Sequence, residues 1–135
     1  MQAVRDGRLT LCVSAELINE ISNVLNRPEL NARFPALTPM HVTAFLDEIL
    51  LLAEFFDPVP HVFTWQAHAD DDHLFNLAIE AKAKYLVTWE NRILKLGTEN
   101  SNDAAALRQL APDLIILTPK MLTDELRRQY DAGTP

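Results

Sequence analysis

Residues 70–96, DDDHLFNLAIEAKAKYLVTWENRILKL, decide the architecture of this chain. Three adjacent aspartates, Asp70, Asp71 and Asp72, open a segment that predicts a helix from about Asp72 to Ala83. The helix feeds a short apolar strand, Tyr85 to Thr88. Glu90 follows two residues later, and a further short segment runs from Asn91 to Leu96. Downstream, a helix is expected over about Asn102 to Leu110, ending at Pro112. It leads into the apolar run Leu114-Ile115-Ile116-Leu117. Both apolar runs are short and do not alternate, the pattern of parallel strands covered on both faces. Thr118-Pro119 then supplies a capping hydroxyl and a proline at the first helical position before a last helix ending near Tyr130.

Upstream the same alternation continues. Leu9 to Val13 is an apolar run after Gly7, and Ser14 offers an N-cap. Leu17, Ile18, Ile21, Val24 and Leu25 then recur at helical spacing, and Pro28 closes that helix. Thr38-Pro39 starts a long helix to about Phe55, with an apolar stripe of Val42, Phe45, Leu46, Ile49 and Ala53. Asp57-Pro58 and Pro60 end it, and His61-Val62-Phe63 is expected to be a short strand. Alternating helices and strands, with only three glycines, give an α/β class with a parallel sheet flanked by helices. Sites on such sheets form outside the carboxyl ends of the strands, where Glu90 falls.

The 135 residues suit one domain over 1–135, and 48% hydrophobic content is enough for a single core. No apolar run is long enough to span a bilayer, and the charged start lacks a leader's apolar segment. A lone Cys12 in an apolar run fits an inert thiol in a reducing compartment, so a cytoplasmic location is expected. The formal charge of −7 argues against a broad basic face that wraps DNA. Nucleotide-binding glycine loops, a nucleophile elbow and a second cysteine are all missing from the sequence.

Carboxylates carry the remaining signal. One or two of the three aspartates are explained by helix capping and the helix dipole. Three adjacent like charges repel one another, and a cation would relieve them. Glu20 lies at the border of an amphipathic helix, where it can face a cleft or simply bulk water. Glu90 is either a loop and cap-region acid or a site residue. His68 and His73 flank the aspartates, but the oxygen-rich surroundings favour magnesium or manganese over zinc. Trp65 and Trp89 are expected to pack, Trp89 with the option of lining a cleft.

In order, these features are a serine before a helix carrying Glu20, then Asp71-Asp72-His73-Leu74-Phe75-Asn76-Leu77-Ala78. Tyr85-Leu86-Val87-Thr88-Trp89-Glu90, Ile93-Leu94 and Leu117-Thr118-Pro119 follow. In this order the chain resembles the PIN-domain family, specifically toxin components of bacterial toxin–antitoxin systems, over roughly residues 3 to 128. The resemblance implies a PIN-like three-layer fold and a metal-dependent endoribonuclease. Its catalytic carboxylates would be Glu20, Asp71 and Glu90, with Asp72 added as a metal ligand and Mg2+ (or Mn2+) as cofactor. Lys82, Lys84, Arg92 and Lys95 are candidate phosphate contacts. An RNA substrate, a cognate antitoxin and a homodimer are the partners it implies.

Three departures from the family pattern stand out. The family's first strand, with its aspartate, is expected to be missing, so the chain would be N-terminally truncated relative to the family. Glu90 stands where an aspartate is usual. Trp89, Arg92 and His68 replace a glycine and two aspartates. These departures sustain the alternative of a non-catalytic PIN-like protein-binding module, or a truncated relic.

Overall fold

The computed structural model describes residues 2–132. The chain forms two compact units, the first ending at His61 and the second beginning at Val62.

The first unit starts with a short helix, α1 (Gln2–Arg5). The turn after it passes through Gly7 at φ +75°, which L side chains adopt only with strain. Among the described residues nothing lies within 4 Å of where a Cβ would sit, so the backbone angle is what asks for glycine there. Strand β1 (Cys12–Ser14) runs directly into helix α2 (Ala15–Leu25). Ser14 caps that helix as expected, its hydroxyl accepting from the Leu17 amide at 3.1 Å. Pro28 does more than end α2. It takes the first helical turn of a further helix, α3 (Pro28–Arg33), where its missing N–H costs nothing.

Thr38 caps α4 (Pro39–Leu52) through the His41 amide. Val42 and Ile49, seven residues apart on α4, are buried with Val13 of β1. The helix stops short of the expected Phe55 because Ala53 turns extended and Glu54–Phe56 form a strand, β2. Parallel pairing with β1, in the register Cys12↔Glu54, Val13↔Phe55 and Ser14↔Phe56, overrides the helical pattern of that stretch.

The second unit holds a 3-10 turn (Ala69–Asp71), α5 (Asp72–Ala81), β3 (Tyr85–Val87), α6 (Asn91–Leu96), α7 (Asn102–Leu110), β4 (Ile115–Leu117) and α8 (Pro119–Ala132). Ser101 and Thr118 cap α7 and α8 through the amides of Ala104 and Met121. Strands β3 and β4 pair in parallel, Tyr85↔Ile115, Leu86↔Ile116 and Val87↔Leu117. The expected α/β class with parallel strands therefore holds. Leu86 and Ile116 pack on the core, but Val87 and Ile115 stay half exposed, so the strand pair is not covered on both faces.

That core joins Phe63, Trp65, Phe75, Ile93, Leu96, Ala104 and Leu107. Phe75 is fully buried at its centre, edge-on to Phe63 at 5.5 Å and to Trp65 at 5.3 Å, a favoured aromatic geometry. His61-Val62-Phe63, expected as a strand, is not one. The amides of Val62 and Phe63 instead both donate to the Asn76 side-chain oxygen at 2.8 Å. Asn76 returns its own N–H groups to the carbonyls of Phe63 and Asp72. A side chain thus takes the part of a neighbouring strand, and the segment 62–65 is locked to the first turns of α5. Helix α5 ends at Ala81, earlier than expected, because Lys82 enters the left-handed region at φ 52°.

Candidate functional site

Two carboxylates nineteen residues apart in sequence meet at one guanidinium. Arg92 Nη2 lies 2.7 Å from Asp71 Oδ2, and Arg92 Nε donates to Glu90 Oε2 at 2.8 Å. Its remaining terminal nitrogen, Nη1, reaches His68 Nδ1 at 3.2 Å. A guanidinium only donates, so His68 Nδ1 must accept, which places the neutral imidazole's proton on Nε2. His68 in turn stands edge-on to Trp65, ring centroids 4.6 Å apart.

Each acid is brought there by its own element. Asp71 closes the 3-10 turn and is the residue before α5, whose Phe75 and Asn76 are buried one turn on. Glu90 follows the carboxyl end of β3. Thr88 extends the ladder by donating its amide to the Leu117 carbonyl at 3.0 Å, and the Thr88 hydroxyl accepts the Glu90 amide at 3.0 Å. Ile93 and Leu96, both buried, then pin α6 and with it the backbone of Arg92.

Helix capping would be the ordinary use of an acid at either position. Asp71 and Glu90 both occupy N-cap positions, yet neither side chain makes a capping hydrogen bond. Both are spent on Arg92. The Glu90 hydrogen bond, with the nearby Asp71 charge, makes the Arg92 guanidinium hold its proton more tightly than usual, against a smaller opposing effect of burial.

The other sequence-predicted residues fall elsewhere. Asp72 is buried at the start of α5, and Asp70 is exposed. Glu20 belongs to the first unit. It lies on α2 at the rim of an apolar groove lined by Leu17, Ile21, Val24 and Leu25 with Phe45 of α4. Lys82 and Lys95 are exposed, and Lys84 sits over the ring of Tyr85. Trp65 packs in the core as expected, but Trp89 does not pack: it is 69% exposed beside Glu90. Burial, then the charge of Glu54, pushes the Cys12 thiol above its ordinary range, consistent with an inert thiol. Sequence reasoning treated Arg92 as a phosphate contact and missed its pairing with the acids. A cation two residues from Glu90, in a chain with an aspartate cluster, was the available signal.

Does this donor set suit a divalent ion? Among the described residues no group of three or more His, Cys, Asp or Glu side chains gathers, the kind of closed set that a structural zinc takes. Magnesium is less demanding, since it commonly takes one or two carboxylates and completes its shell with water and substrate phosphate. Asp71 and Glu90 offer hard oxygen donors already converging on one positive charge, with Arg92 as the stand-in cation. The pair fits a magnesium-type ion.

The second unit thus joins parallel strands to an acidic pair, one member of which follows the carboxyl end of β3, where sites on such sheets form. A family description, PIN domain, matches residues 1–92, so this chain of 135 residues belongs to the PIN-domain family. Members are generally nucleases that use divalent ions, which supports a nuclease-type function. Neither the curated proteins nor the solved structures contain a match to this chain. No described helix is long and apolar enough to cross a membrane.

Proposed function

We propose that this chain is a metal-dependent endoribonuclease, the toxin of a toxin–antitoxin pair, built as a single PIN-like domain over residues 1–135. The observation that carries the proposal is the convergence of Asp71 and Glu90 on one cation when neither is used to cap its helix. In this reading both acids hold Mg2+ or Mn2+, with Asp72, the next residue along, as a neighbouring acid. When bound, such an ion supplies Lewis-acid stabilisation at phosphorus and activates water for attack, so no side-chain nucleophile is needed.

The chain's own residues do the rest. Asp71 and Glu90 set where positive charge resides. Exposed Trp89, next to Glu90, offers a face on which an unpaired base stacks, and this favours single-stranded RNA. Lys82 and Lys95 offer phosphate contacts from the exposed surface. A cognate antitoxin, self-association as a homodimer and a cytoplasmic location complete the proposal.

A second reading, a non-catalytic PIN-like protein-binding module, is favoured by one specific observation. Arg92 already pairs with both acids, so each has a partner without a metal. Incubation with single-stranded RNA separates the two. The nuclease cleaves with added Mg2+, stops in excess chelator and is abolished by Asp71→Asn. Cleavage that survives either treatment counts against it, and absence of cleavage at every metal concentration favours the binding module.

A further inference from the structure

The following rests on Asp71 and Glu90 being the ion-holding pair. We propose that Arg92 is a built-in counter-ion that competes with a divalent cation for Asp71 and Glu90, so that the pair loads metal only when the guanidinium leaves it.

Three observations carry this. First, the guanidinium is fully engaged where the two acids meet: Nη2 on Asp71, Nε on Glu90 and Nη1 on His68. A divalent ion drawn to the same two carboxylates would meet a positive charge already held against Asp71 Oδ2 and Glu90 Oε2, and the two cations repel. Second, the backbone is fixed but the side chain is not. Ile93 and Leu96 bury the next turn of α6, whereas the Arg92 side chain is 44% exposed and can swing into water. Each exposed ion pair is weak alone, so the side chain can leave, but its three contacts must break together. Third, the charge balance is tight. Asp71, Glu90 and Arg92 together carry one negative charge, and removing Arg92 doubles it. His68 favours the engaged position, since its Nδ1 accepts from Arg92 and Trp65 braces its ring.

The consequence is a site with deliberately modest metal affinity, in which a guanidinium released from the acids becomes available to a phosphate. A purely structural ion pair would instead contribute slightly to folding and leave cation affinity unchanged.

Mn2+ titration of the full chain, with free ion followed by electron paramagnetic resonance, tests this without relying on cleavage. A point charge about 5 Å from a divalent ion in a water-like dielectric is worth at least about a tenfold change in affinity. Arg92→Ala should therefore bind Mn2+ at least about tenfold more tightly than the wild type. Arg92→Gln, which keeps the stem and removes only the charge, should do the same, and circular dichroism melts verify that both variants are folded. The gain should vanish in the Arg92→Ala, Asp71→Asn double variant. Equal or weaker binding by both single variants overturns the proposal, as does a gain that persists without Asp71. If metal-dependent RNA cleavage is present while Arg92→Ala binds no more tightly, this inference alone fails. If none of the proteins binds Mn2+ at millimolar concentrations, the ion-holding pair fails with it.

Discussion

Replacing Asn76 by leucine should be the most damaging polar-to-apolar change in the second unit. Asn76 is 3% exposed, and its amide makes four hydrogen bonds: it accepts from Val62 N and Phe63 N and donates to Phe63 O and Asp72 O. Leucine keeps the γ-branched shape, but its methyl groups are bulkier than the amide oxygen and nitrogen, so some overpacking adds to the loss. The larger effect falls on the polar groups opposite. Half-exposed Val62 can turn its amide to water, and Asp72 lies in the first turn of α5, whose helical bonding remains. Phe63 is 2% exposed, however, and its N–H and C=O would both be left buried without a partner. At roughly 1–3 kcal/mol for each unmet group, the loss is about 4 kcal/mol. With a urea slope of about 2 kcal/mol per molar, the midpoint should fall by about 2 M. Fluorescence of buried Trp65, in a Trp89→Phe background that removes the exposed emitter, reports this unit directly. A loss below about 1 kcal/mol would refute the idea that Asn76 takes the place of a strand partner for residues 62–63.

Other outcomes follow from single residues. Lys82 sits at φ 52°, so Lys82→Gly should relieve left-handed strain and stabilise by about 0.5–1 kcal/mol, seen as a melting point a few degrees higher. Glu125 is held at about 2, chiefly by the Arg128 hydrogen bond and then by Gln129. A depressed carboxyl stabilises above its unfolded pKa and loses that contribution as pH falls through the folded value. Loosening of α8 should therefore span the window from about 4.5 down to about 2, and a carbon-detected NMR titration of Glu125 should show a midpoint near 2, not near 4.5. Trp89→Ala should raise KM for single-stranded RNA by roughly tenfold through loss of base stacking while leaving Mn2+ binding unchanged. An unchanged KM would remove Trp89 from the substrate surface.

The parts of this fold that local chemistry dictates were legible in the chain. Ser14, Thr38 and Thr118 cap three helices because a hydroxyl precedes each one, and two of those helices open on proline. The strands Tyr85–Val87 and Ile115–Leu117 lie inside the apolar runs that announced them. What local pattern could not show was partnership across sequence. Glu54–Phe56 extends the apolar stripe of α4 and becomes a strand only because β1 offers a parallel edge. Val62-Phe63 resembles a strand and is satisfied by a side chain fourteen residues on. At the site, Asp71 and Glu90 stood out by composition. Their use could not, because capping and ion binding ask for the same residue in the same place. The missing capping bonds, and the arrival of Arg92 at both acids, separate the two.

The central claim is that Asp71 and Glu90 act as one unit on one cation. The direct test is a set of RNA cleavage rates for Asp71→Asn, Glu90→Gln and the double variant under saturating Mg2+. Residues that serve a single function lose it together, so each single variant should fall by about a hundredfold or more and the double should fall no further. Two smaller losses that multiply in the double variant would contradict the claim, since that is how independent residues behave.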